Sequence, residues 1–384
     1  MLQSISQTLY KSEPMIFPTN ISSLVNYLEN HPIPSNHSVM LSIGETNAPD
    51  IDHLIQSLKN LEVDFFGGIF PSLIYGTEKV DEGILMNIFP TFCSPYLIEG
   101  LDTKNITLPN FDELPIFTEE VTALVLVDGL TSNISNFLFE LYSQFGNEVK
   151  CIGGGAGSLS LKQQSCLFNK DGFFMNAAIV CPIKLNAEIG VGHGWDRVDG
   201  PFVATKTEKN IIKELNWKPA FDVYKEIVEM DSNQVFTSDN FFDIAKAYPL
   251  GMLKSSSEVI VRDPICRNDD KSLVCIGEVP ENCVLEILNG NKKSLLNAAE
   301  QVVNDLEKPG LKAEHGLVFD CISRTLFLQD DFEIELSHLQ KILDGDGAIK
   351  IGGALTLGEI ASTGSGTLDF FNKTIVVGIL YNDD

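Results

Sequence analysis

Cys151-Ile-Gly-Gly-Gly-Ala-Gly157, a turn at Asn169-Lys-Asp-Gly172, and Gly190-Val-Gly-His-Gly-Trp195 leading into Gly200-Pro-Phe-Val-Ala-Thr205 punctuate one stretch of the chain. Two backbone-permissive segments flank a strand pair, and the second presents His193 and Trp195 between glycines. Glycines tolerate close approach of backbone or ligand, so this stretch has the makings of a small-molecule pocket.

Working outward, the stretch reads as the second copy of a repeat. Upstream, Ser38-Val-Met-Leu-Ser-Ile43 reads as a strand. A helix over 51–61 follows, with Ile51, Leu54, Ile55 and Leu58 on one face and Asp50 as its cap. The chain returns through Val63-Asp-Phe-Phe66 to Gly67-Gly68. Downstream, Ala123-Leu-Val-Leu-Val-Asp-Gly129, a helix over 134–145 and Val149-Lys-Cys-Ile-Gly153 repeat that order. Gly83-Ile-Leu-Met-Asn87 is echoed by Gly172-Phe-Phe-Met-Asn176.

The expectation is an N-terminal extension over 1–35, a pseudo-duplicated α/β layer domain over 36–215, and an α+β domain over 216–384 with a mainly antiparallel sheet. The second domain opens on a helix at Pro219, proline being favoured at a first helical position.

Composition excludes several classes. Hydrophobic residues make up 44% of the 384 and charged residues 21%, a globular balance. With 53 acidic against 27 basic side chains, the net charge of −26 argues against nucleic acid and against an anionic membrane face. No stretch approaches the roughly 20 apolar residues of a membrane span, and Met1 to Tyr10 lacks the pattern of a signal peptide, so a cytoplasmic protein is expected. Eight cysteines with no Cys-x-x-Cys pair fit neither a zinc knuckle nor a disulfide framework.

Gly153 and Gly154 suggest an anion-binding loop, but no Gly-Lys-Ser/Thr and no Gly-x-Gly-x-x-Gly accompanies them. His193 beside Trp195 can bind a flat cofactor axially, polarise a ligand, or hydrogen-bond a carbonyl. Arg324 and Glu359 each follow a buried strand, where layered folds build pockets. There is no nucleophile elbow and no His-Glu-x-x-His, so catalysis has little support.

Together the segments Cys151–Gly157, Gly192-His-Gly-Trp195, Gly200–Thr205, Pro219-Ala-Phe-Asp-Val-Tyr224, Tyr248-Pro-Leu-Gly251, Val261-Arg-Asp263, Phe319-Asp-Cys-Ile-Ser-Arg324, Gly358-Glu-Ile360 and Asn372-Lys-Thr374 resemble the FIST proteins, with both FIST N and FIST C domains, from about 36 to 382. The resemblance implies a sensory module for a small ligand, for which amino acids have been proposed, that feeds a histidine kinase or a cyclic-di-GMP enzyme. As the chain shows no kinase, cyclase or membrane part, a separate partner is expected to carry the signal.

The chain further resembles the stand-alone haem-binding nitric-oxide sensors of that family, the NosP group, which implies haem b with His193 as its axial ligand. Without Cys-x-x-Cys-His the haem would not be covalently attached in the c-type manner. Two other readings stay open. One is a haem-free amino-acid sensor in which Arg324 and Glu359 pair with carboxylate and amine; the other is a protein-interaction scaffold.

Overall fold

The computed structural model describes residues 13–382 apart from 104, 113, 117–120, 255–258, 307–312, 345–348 and 363–367. The leader region Met1 to Tyr10, read above for a signal peptide, lies outside the described residues.

The first α/β unit comprises β1 (Met15–Phe17), α1 (Ile21–Asn30), β2 (His37–Gly44), α2 (Ile51–Asn60), β3 (Phe65–Phe70), the hairpin of β4 (Ser72–Tyr75) and β5 (Glu78–Val80), and β6 (Ile84–Pro90). Asp50 caps α2 as its sequence suggests, its carboxylate accepting the His53 N–H at 2.9 Å. A second unit repeats the order with β7 (Tyr96–Glu99), β8 (Val121–Asp128), α3 (Ile134–Phe145), β9 (Val149–Ala156), the hairpin of β10 (Leu167–Asn169) and β11 (Gly172–Phe174), and β12 (Ala177–Ile183).

The two expected copies are joined by a third. It opens on β13 (Asn186–Gly192) and is then interrupted by β14 (Asp196–Glu208), β15 (Ile211–Leu215), β16 (Lys218–Pro219), α4 (Ala220–Ser232), α5 (Phe241–Ala245), β17 (Leu250–Leu253), β18 (Val259–Arg267), β19 (Leu273–Ile276) and β20 (Val284–Asn289). It resumes with α6 (Lys292–Asp305), β21 (Ala313–Cys321), α7 (Ile322–Leu328), α8 (Phe332–Asp344), β22 (Ile351–Thr356), the hairpin of β23 (Glu359–Ser362) and β24 (Leu368–Phe371), and β25 (Ile375–Tyr381).

Each unit contributes a parallel strand pair, β2 with β3, β8 with β9 and β21 with β22, flanked by an antiparallel strand, β6, β12 or β25. Each hairpin is handed to a neighbouring unit. The second unit's β10 pairs with β3, the third unit's β23 pairs with β9, and the first unit's β4 pairs with β22. The result is three six-stranded sheets linked in a cycle.

Three glycines mark the repeat at atomic scale. Gly67, Gly153 and Gly353 lie opposite Leu41, Val125 and Val318 in the three parallel pairs. A Cβ on each would fall 2.1, 1.8 and 1.7 Å from the carbonyl oxygen of that partner. Val125, Leu126, Phe66, Phe70 and Phe319 are fully buried in or beside these sheets, each contributing about 1.5–3 kcal/mol of hydrophobic stabilisation.

The interrupting segment is a barrel. β14 pairs with both β20 and β15, and the chain of antiparallel pairings β20–β17–β18–β19–β15 closes the ring. α4 packs Phe221, Tyr224, Ile227 and Val228 into the same core as Leu250, Ile260 and Leu285 of the barrel. Residue 216 falls between β15 and β16, inside this barrel, and β13 from before it pairs with β25 near the C-terminus. The sheets thus cross this point of the chain. The Gly83 and Gly172 echo does not survive: Gly83 precedes β6, whose counterpart is β12, whereas Gly172 opens β11.

Candidate functional site

Open α/β sheets bind ligands beyond the carboxyl ends of their strands. In the third unit that place is covered by the barrel, and a cavity of ≈ 190 Å³ lies between them. Its walls are apolar: Ile265 of β18, Ile276 of β19, Phe242 of α5, Ile322 and Leu326 of α7, and Leu159 and Leu161 from the segment after β9. Asp263, Ser323, Cys321 and Asn372 supply its polar lining. A larger dish of ≈ 450 Å³ on the first unit is lined by charged surface groups such as Lys59, Glu62 and Lys170. The smaller cavity, apolar with a few converging polar groups, has the build of a small-molecule site.

Two polar atoms at this cavity are left without hydrogen-bond partners among the described residues, Asp263 Oδ1 and Asn372 Nδ2. Asp263 is 2% exposed and Asn372 1%. The Asn372 amide is oriented by Arg262, whose Nη1 donates to Asn372 Oδ1 at 3.5 Å, leaving Nδ2 to face elsewhere. Arg262 is itself fixed by donating to the carbonyls of Glu278, at 2.8 Å, and Phe370, at 2.9 Å.

Lys373 Nζ stands 3.2 Å from Asp263 Oδ1 in a buried ion pair. The same ammonium donates to Ser323 Oγ at 2.7 Å and to the Lys246 carbonyl at 2.9 Å. Burial pushes the Asp263 carboxyl above its ordinary range, with Lys373 and Ser323 offsetting part of that rise. The Asp263 carboxylate is thus charge-paired, whereas the buried Asn372 Nδ2 donor has no partner among the described residues, at a cost of about 1–3 kcal/mol. A ligand acceptor would supply the partner that Asn372 Nδ2 lacks.

The residues singled out from sequence surround this cavity without lining it. Trp195 is buried and donates from Nε1 to the Lys373 carbonyl at 3.0 Å, while the Lys373 ammonium lies 5.3 Å from its ring centroid. Arg324 is fully buried and makes four hydrogen bonds: two to Glu335, one to the His193 carbonyl at 2.6 Å and one to the Leu295 carbonyl at 2.7 Å. It ties the β13–β14 connection to α6 and α8, with Glu335 as its carboxylate partner.

Glu359 is fully buried, accepting from Thr356 Oγ1 at 2.9 Å and Thr374 Oγ1 at 2.5 Å, and burial pushes its carboxyl up to about 8. Gly153 and Gly154 lie inside β9, paired with Ile360 and Glu359 of β23. They sit at no helix start, so the anion-loop reading has no geometric basis there.

His193 was the position assigned to haem. Its Nδ1 accepts the Trp195 main-chain N–H at 3.0 Å, and burial, reinforced by the Arg324 guanidinium, pushes its imidazole down to about 4. The flanking glycines make room for α6: a Cβ at Gly192 would meet Val302, and one at Gly194 would meet the Ser294 carbonyl. α6 of the same chain thus packs against the glycines on either side of His193.

Asp263, Ser323, Asn372 and Lys373 were not picked out as site residues, although they lie within the short segments on which the family resemblance rests. One signal was available: Arg262 and Asp263 are two adjacent charges inside an apolar strand run, Val259 to Ile265. Asn372-Lys373-Thr374 instead reads as a polar turn between apolar strands, and nothing local tells such a turn from a solvent-facing one.

A closed barrel seated on the strand ends of an α/β scaffold, with an apolar cavity between them, defines a small-ligand-binding type of protein. The FIST N domain model matches residues 39–218 and the FIST C domain model matches residues 220–362, together more than half of the chain. The chain belongs to the FIST family, whose domains are small-ligand sensory domains of signalling proteins. Asn372 and Lys373 lie beyond the matched residues. The search of curated proteins found no relative. No helix among the described residues is long and apolar enough to cross a membrane.

Proposed function

We propose that this chain senses an apolar amino acid, or a close relative of one, in the cavity between the barrel and the third unit. The observation that carries this reading is the buried Asp263 carboxylate beside the unpartnered Asn372 Nδ2 in the lining of that cavity. Asp263 Oδ1 would accept from the ligand's ammonium, and Asn372 Nδ2 would donate to its carboxylate. The side chain would rest against Phe242, Ile322 and Leu326. Arg324 and Glu359, first assigned to the ligand's two charged ends, hold the surrounding elements instead. The liganded form would be read by a separate partner, a histidine kinase or a cyclic-di-GMP enzyme, in keeping with the family's sensory role.

A thermal-shift screen of the purified chain with the common amino acids tests the reading. A ligand at a hundredfold its dissociation constant stabilises by about 2.7 kcal/mol, a clear rise in Tm, and Asp263→Asn should abolish that rise. No response to any amino acid would defeat it. The haem reading differs in its readout, a Soret band in the purified protein that shifts with nitric oxide and disappears in His193→Ala. The intramolecular contacts of His193 favour the amino-acid reading over it.

A further inference from the structure

A second cavity of ≈ 150 Å³ lies at the carboxyl end of β8, the second unit's counterpart of β21. Register supports the equivalence: Asp128 ends β8 opposite Ala156, as Cys321 ends β21 opposite Thr356. The residues just after Asp128 line this cavity, as those after Cys321 line the first. The two cavities share Leu161, Ile265 and Ile276, an apolar boundary common to both. Beyond that boundary the lining is polar, with Ser132 before α3 and Ser135 in its first turn, and Glu278 and Lys209 from the barrel. Each cavity alone is smaller than the roughly 300 Å³ at which small-molecule pockets begin, and together they reach it.

We infer that the two cavities are compartments of a single site for a short peptide with an apolar N-terminal residue, a dipeptide being the shortest that spans both. The inference rests on the reading of Asp263 and Asn372 above. The N-terminal ammonium sits on Asp263, and the first carbonyl oxygen accepts from Asn372 Nδ2. The apolar side chain fills the first compartment and the peptide unit crosses the shared boundary. The second residue lies among Ser132, Ser135 and Glu278, and its terminal carboxylate meets the exposed Lys209 ammonium. A free amino acid leaves this second compartment to water.

Isothermal titration calorimetry of the full chain with leucine and with leucyl-serine tests this, in wild type, in Ser135→Phe, which fills the second compartment, and in Lys209→Ala, which removes the cation at its mouth. Leucyl-serine should bind wild type about tenfold more tightly than leucine, the worth of one further charge-assisted contact. That ratio should collapse towards one in Ser135→Phe and shrink in Lys209→Ala, a variant of an exposed residue that also guards against misfolding of the first. Equal affinities in wild type, with leucine binding still dependent on Asp263, would overturn this inference alone. A tenfold ratio undiminished in both variants would overturn it too. If neither compound binds wild type, the amino-acid reading falls with it.

Discussion

Glu359 was expected at a ligand and is instead a buried carboxyl held by two threonine hydroxyls. Its ordinary value of 4.5 applies to the unfolded chain, and burial raises the folded value to about 8. Between these limits the folded protein holds a proton that the unfolded chain has lost, so this residue's contribution to stability falls as pH rises through the window, by up to about 1.4 kcal/mol per unit. Glu359→Gln keeps the shape and removes the titration. Urea unfolding at several pH values should therefore show a shallower decline between pH 4.5 and about 8 in the variant, and parallel declines would contradict the assignment. His193 works in the opposite sense, because its depressed value makes folding less favourable as pH falls from 6.5 towards about 4. The two residues once assigned to ligands thus set opposite pH slopes.

At the scale of elements, glycine decides where strands can lie. Gly153 faces the Val125 carbonyl with no room for a methyl group, and the atom in the way is backbone that cannot swing aside. Gly153→Ala should destabilise by about 3 kcal/mol or more, measured as a fall in Tm and in urea midpoint, and an unchanged midpoint would mean that the β8–β9 pair is not packed as described. The sequence displayed much of this level. The helix over 51–60 was legible from its apolar face and cap, and the hairpin at Asn169–Gly172 from its turn residues. The third copy was hidden because the barrel splits β13 from β21 by more than a hundred residues and because α7 and α8 stand where the other units have one helix. Glycines flanking His193 carried no mark of what they accommodate, since a ligand and α6 ask the same of the backbone.

For the whole molecule, the cavity is a meeting place. Its walls come from the second unit through Leu159 and Leu161, from the third through α7 and Gly358, and from the barrel through Asp263, Ile265 and Ile276. Long-range assembly of this kind leaves no periodic signal, so single residues such as Asp263 and Asn372, 109 positions apart, could be read as a pair only from the fold. A ligand that bridges them ties the barrel to the α/β scaffold, and that coupling is how occupancy would reach a partner protein. The most direct test is calorimetry of the wild-type chain with leucine, with isocaproate, which lacks the amine, and with leucinol, which lacks the carboxylate. The Asp263 carboxylate and Asn372 Nδ2 predict measurable binding of leucine and a loss of about tenfold or more for each analogue, since each forgoes one of the two polar contacts. Isocaproate and leucinol binding as tightly as leucine would contradict the account.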